Sequence, residues 1–102
     1  MSRNDGWSLV VPIKVKNVEC QAVIDTAAQV TVISNRIFRK MKCQPQVQED
    51  VILKDATALN NIPAQLVKSV NFSLGDRIYN WNSYVALLSD EVILGIDFFE
   101  RK

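Results

Sequence analysis

Histidine is absent from the 102 residues of this chain. That absence removes Ser-His-Asp and Cys-His nucleophile systems, the HExxH zinc motif and imidazole general acid–base chemistry. Cysteine is scarce: Cys20 and Cys43 are the two present, too few for a cysteine cage around zinc. Both are expected as free thiols, Cys20 within a buried strand, and no metal or cofactor is expected. Apolar runs long enough to cross a bilayer, ~20 residues, are missing too. The opening residues Met1-Ser2-Arg3-Asn4-Asp5-Gly6 are polar and lack a signal-peptide core. The domain is therefore expected to be soluble and intracellular, with no membrane partner. Charge of one sign is also lacking: 12 basic and 11 acidic residues leave a net +1, which gives no electrostatic reason to expect nucleic acid. The cluster Arg36, Arg39, Lys40 and Lys42 reads as a solvated helix face. Any catalysis must come from carboxylates, lysine, tyrosine or cysteine.

What is present is a globular composition, 48% hydrophobic and 23% charged, of a size for one domain over residues 1–102. No repeat, linker or low-complexity segment interrupts it. Leu9, Val11, Ile13 and Val15 fall on one face and Lys14 and Lys16 on the other, the period of a half-buried strand. After a turn at Lys16-Asn17-Val18, the alternation of Val18, Cys20, Ala22 and Ile24 predicts a second strand and a hairpin, with Asp25 at its end. Val30-Thr31-Val32-Ile33 is β-branched throughout and predicts a buried strand. Ser34 suits the N-cap of a short helix from Asn35 to about Met41, with Ile37, Phe38 and Met41 inward. Residues 43–50 read as a polar loop. Val51-Ile52-Leu53 opens a strand, another begins near Val67 after one irregular step, Gly75-Asp76 turns, and Ile78 to Leu88 forms a further strand. Val92-Ile93-Leu94 is a short apolar strand leading through Gly95 into a helical Ile96-Asp97-Phe98-Phe99-Glu100. The fold class is all-β with one or two short helices.

Two segments carry the chemistry. Val23-Ile24-Asp25-Thr26-Ala27-Ala28 resembles the aspartic-protease signature of two hydrophobic residues, Asp-Thr/Ser-Gly, then usually Ala. Val92-Ile93-Leu94-Gly95-Ile96-Asp97-Phe98-Phe99 resembles the hydrophobic-hydrophobic-Gly segment that precedes the C-terminal helix of retroviral and retrotransposon proteases, in a form similar to the Gypsy-like elements. Either motif alone is weak; the two together, at this spacing in a β-rich chain of this length, are fairly specific. The resemblance spans roughly residues 7 to 100 and implies a single-lobed retropepsin-like barrel with a flap hairpin.

That resemblance implies an aspartic endopeptidase. In aspartic proteases two carboxylates share one proton, because like charges about 3 Å apart cannot both persist, so one activates water while the other supplies a proton. One Asp-Thr-Ala segment per chain supplies one carboxylate, and the second would come from a two-fold-related copy, an isologous homodimer with Asp25 near its axis. Asp25 is then catalytic, and Thr26 would lock the paired loops across the axis. Ala27, Ala28, Gln29 and Val30 would form the floor of a groove for an extended polyprotein segment. The flap would run from about Ile52 to Ala64, with Ala56, Thr57 and Ala58 near its tip. Ile93 and Val32 would line apolar side-chain pockets or serve as core. The implied setting is the cytoplasm or a retroelement particle. Asp97 reads as a cap or a structural hydrogen-bonding residue.

Two departures from the family pattern bear on activity. Ala27 stands where the family has glycine, and the flap offers Ala58, Asn60 and Asn61 where glycine is usual. If the loop holds Ala27 at negative φ its methyl is tolerated; if the loop needs a glycine conformation the methyl strains it. The alternative reading is a catalytically weak, protease-like module that binds peptides or dimerises.

Overall fold

The β1–β2 hairpin sets the first register. A computed structural model describes residues 9–54 and 61–100. In it β1 (Leu9–Val15) and β2 (Val18–Ile24) pair antiparallel from Leu9↔Ile24 to Val15↔Val18. The two residues between them, Lys16 and Asn17, both have positive φ (47° and 70°), the twist a two-residue hairpin favours. Ile13, Val15, Cys20 and Ala22 turn inward, the face that the alternation predicts.

β3 (Val32–Ser34) and α1 (Asn35–Lys40) follow. The predicted strand at residues 30–33 thus forms two residues later, because Val30 and Thr31 belong to the loop after Asp25. Ser34 caps α1 as expected, its hydroxyl accepting from the Arg36 N–H at 3.1 Å. Ile37 and Met41 are buried, and Arg39 and Lys40 are exposed in the last turn. The segment read as a polar loop over 43–50 is strand from Val47: β4 spans Val47–Lys54. It lies at one end of the strand order, so Gln48, Glu49 and Asp50 need no burial and the hydrophobic alternation that would reveal a strand is missing.

β5 (Asn61–Leu74) pairs with β4 through Lys54↔Asn61 and with β6 (Arg77–Ala86) through Leu74↔Arg77. It begins six residues earlier than Val67, since Asn61, Pro63 and Gln65 face outward. The irregular step is a break in register between Val67 and Val70, where Ser69 takes φ 57° and donates its N–H to the Asn82 amide oxygen at 3.1 Å, as a β-bulge does. β6 ends at Ala86, two residues before the expected Leu88.

β7 (Val92–Leu94) and α2 (Ile96–Phe99) are the last elements of the described residues. The seven strands run β1-β2-β7-β3-β6-β5-β4, and a β1–β5 contact at Lys14↔Ser73 and Val15↔Phe72 closes the sheet into a barrel. The all-β expectation holds. Phe98 anchors the core, its ring 5.3–5.8 Å from those of Phe72, Tyr79, Trp81 and Phe99. A smaller apolar cluster around Val32, Ala64 and Ala86 gathers Val30, Val51, Leu53, Ile62, Tyr84 and Leu88, joining the β4–β5 hairpin to the loop after Asp25.

Candidate functional site

Strand order creates the site. β2 and β3 are consecutive in sequence but are not neighbours, because β7 lies between them, parallel to β2 (Ile24↔Leu94) and antiparallel to β3 (Val32↔Ile93). The connection at residues 25–31 must therefore pass over the end of β7, where Gly95 begins the last helix. The two sequence motifs, some seventy positions apart, meet there.

Backbone hydrogen bonds hold the loop to that end. The Asp25 N–H donates to the Leu94 carbonyl (3.1 Å), the Ala28 N–H to the Asp25 carbonyl (3.0 Å) and the Ile96 N–H to the Ala28 carbonyl (2.8 Å). The Asp25 carboxylate itself accepts from the Ala27 N–H at 3.1 Å, an orienting contact that leaves its remaining acceptor positions available. Asp25 is half-buried, and Thr26 and Ala27 beside it are exposed.

The residues expected at the site fall into three groups. Asp25, Thr26, Ala27, Ala28, Gln29 and Val30 form one continuous loop, with Ala28 buried, Gln29 exposed and Val30 half-buried. Ile93 and Val32 are both buried, 1% and 5% exposed, and are partners across β7 and β3. Ala56, Thr57 and Ala58, assigned to the flap tip, lie outside the described residues; the β4–β5 hairpin that would carry them is in place. Among described non-glycine residues, positive φ occurs at Lys16, Asn17 and Ser69, so Ala27 does not adopt it and the methyl meets no conformational barrier. A cavity of about 750 Å³ lies elsewhere, between Lys14, Asn17, Cys20, Gly75 and Glu91.

Reading residues one at a time missed the network that braces the loop from below. The Thr31 hydroxyl donates to one oxygen of Asp97 (2.9 Å), the Trp81 indole N–H donates to the other (3.0 Å), and the Gly95 N–H donates to the Thr31 hydroxyl (3.2 Å). Thr31 is fully buried, where a hydroxyl needs partners. Of the two roles open to Asp97, the hydrogen-bonding one is realised: Gly95 is the N-cap of α2 and no side chain caps it. A half-buried tryptophan commonly finds an acceptor for its N–H, a signal that could have tied Trp81 to a carboxylate. Gly95 sits at φ −83°, so its requirement is space: a methyl there would strike the Val30 carbonyl.

A family model described as gag-polyprotein putative aspartyl protease matches residues 11–101. Among solved structures the chain is similar to the EIAV protease, determined with the inhibitor HBY-793, at a TM-score of 0.81 and 15% identity, over 98% of this chain and 92% of that one. At that identity the likeness shows the fold, a retropepsin-like barrel. No curated protein matches the chain.

Proposed function

The chain belongs to the gag-polyprotein aspartyl protease family, and from that premise we propose that it is an aspartic endopeptidase whose active site forms between two copies, each supplying Asp25. The observation that carries this reading is the loop geometry: a half-buried Asp25 oriented by the Ala27 N–H and pinned by Leu94, flanked by exposed Thr26 and Ala27.

Water held between two Asp25 carboxylates loses a proton to one of them as it attacks the scissile carbonyl. The carboxyl that holds the shared proton supplies one for the departing amine. Thr26, exposed beside Asp25, links the two loops. The substrate lies extended over residues 27–30 beneath the β4–β5 hairpin, bonded through its backbone. Its class is the polyprotein of the chain's own retroelement, processed in the cytoplasm or in particles. A weakly active binding module is the other reading, favoured by the glycine-poor hairpin; the loop's acceptance of Ala27 speaks against it.

Incubating the protein with a peptide library between pH 4 and 7, beside Asp25→Asn, tests the proposal. Cleavage should vanish in Asp25→Asn while the circular dichroism spectrum is kept, and specific activity should rise with protein concentration until the dimer saturates. Cleavage that survives Asp25→Asn, or full activity in a monomeric sample, would refute it.

A further inference from the structure

Asp97 has a second face. Its two oxygens each accept one neutral donor, Thr31 and Trp81, and no lysine or arginine among the described residues pairs with it. An ionised carboxylate offers about four acceptor positions, so capacity remains. Asp97 also lines a cavity of about 460 Å³, within the range of ligand sites.

The other walls of that cavity are of three kinds. Val30 and Leu66 are apolar, Trp81 and Tyr84 are aromatic, and Asn80 and Asn82 carry amides, the Asn82 oxygen already accepting from Ser69. An apolar stem surface, aromatic rings and an uncompensated carboxylate together complement a long side chain with a cationic end: methylenes pack on apolar surface, a cation is attracted to aromatic rings, and its N–H groups bond the carboxylate strongly. An acidic side chain would meet repulsion there, and a neutral one would leave the carboxylate without a counter-charge. The cavity shares Val30 and Tyr84 with the apolar cluster beneath the β4–β5 hairpin, so it continues from the face over which an extended peptide would lie.

We propose that this cavity is a specificity subsite that takes a lysine or arginine side chain of the substrate at a position away from the cut bond, with Asp97 as its counter-charge. The proposal rests on the protease reading, and its test separates the two. Decapeptides cut by the wild-type protein are remade with lysine, arginine or glutamine at each position in turn. At one position remote from the cut, the cationic peptides should exceed the glutamine peptide in kcat/KM by roughly tenfold, the scale of a hydrogen bond to a charged group in a partly wet site. Asp97→Asn, and Asn80→Lys, which places a competing cation in the cavity, should each bring that ratio to about one; a ratio cancels any general loss of activity. In parallel, the Trp81 indole N–H resonance of the uncleaving Asp25→Asn protein, assigned against Trp81→Phe, should shift with the cationic peptide and not with its glutamine twin. Cleavage without a cation preference at any position, or a preference that survives Asp97→Asn, overturns the subsite and leaves the protease reading intact. Should no peptide be cut, the protease reading fails and the indole titration alone decides the subsite, an unshifted resonance overturning it.

Discussion

Replacing Gly95 with alanine adds one methyl group at a crowded point of the site. It would collide with the Val30 carbonyl oxygen, and would lie 2.6 Å from the Val30 carbonyl carbon and 2.9 Å from the Ala28 carbonyl oxygen. Ordinary carbon contacts are ~3.5–4.0 Å, so the backbone must yield by roughly 1 Å. No rotamer change can relieve this, since the obstacles are main-chain atoms of the loop that carries Asp25. The backbone at Gly95, φ −83° and ψ 178°, is open to any residue, so steric overlap is the whole cost. Overpacking of this kind typically costs about 1–3 kcal/mol, which for a chain of this size lowers the melting temperature by about 4–8 °C per kcal/mol. The kinetic effect should be larger. The Ile96–Ala28 and Asp25–Leu94 bonds share the displaced segment, and a shift of about 1 Å in a catalytic group can cost on the order of a hundredfold in rate. Thermal melts and cleavage of one peptide by Gly95→Ala and wild type measure both. A melting temperature within 2 °C of wild type (about 0.3–0.5 kcal/mol) together with an undiminished rate would refute the reasoning.

Ala27→Gly should leave turnover near wild type and lower stability by about 0.4–1 kcal/mol, because the added freedom belongs to the unfolded chain; denaturant titration and a rate measurement check it, and a more than tenfold gain in rate would mean that the methyl is strained after all. Burial, reinforced by Glu91 and opposed by Lys40, pushes the Cys20 thiol up from 9.0 to about 11, so iodoacetamide at pH 8 should label the exposed Cys43 and spare Cys20 until the chain unfolds, as mass spectrometry of the peptides would report. Because the fold favours the neutral thiol, the stability Cys20 contributes is complete below about pH 9 and is lost as pH rises toward 11; the gap in melting temperature between wild type and Cys20→Ala should narrow from pH 8 to pH 10.5, and a constant gap would contradict this.

The hairpin of β1 and β2, the Ser34 cap, the Gly75 turn and the β7–Gly95–α2 segment were legible because each rests on local pattern: alternation, a capping hydroxyl, a turn pair, a short apolar run. Asp25 stands out in the sequence because its neighbours form a motif, and the structure places it at the end of β2 as expected. The start of β4 was not, since a strand with solvent on one edge can afford Gln48, Glu49 and Asp50 in succession. The loop claimed Val30 and Thr31 against their β-propensity because the connection must clear β7, a tertiary demand that no window of sequence contains. The bracing network is of the same kind: Thr31, Trp81 and Asp97 sit on three separate elements, and only the closed barrel makes them neighbours. Even Ser69, whose irregularity shows in the alternation, takes its positive φ with the help of Asn82 across the strand pair.

The insertion of β7 between β2 and β3 has a consequence in time. The bonds to the Asp25 N–H, the Ala28 carbonyl and the Thr31 hydroxyl come from residues 94–97, 64 or more positions later in the chain, and the one to the Thr31 carbonyl comes from Tyr84. Such long-range closure is slow relative to local structure. During synthesis, Asp25 leaves the ribosome early with only its local bonds to Ala27 and Ala28, and lacks the bond to Leu94 until the Gly95 segment has followed it out. A chain that has not yet reached Gly95 therefore lacks the bonds that set the Asp25 loop. The loop geometry is complete only once β7 and the Gly95 segment are in place, and the order of the residues along the chain acts as a timer.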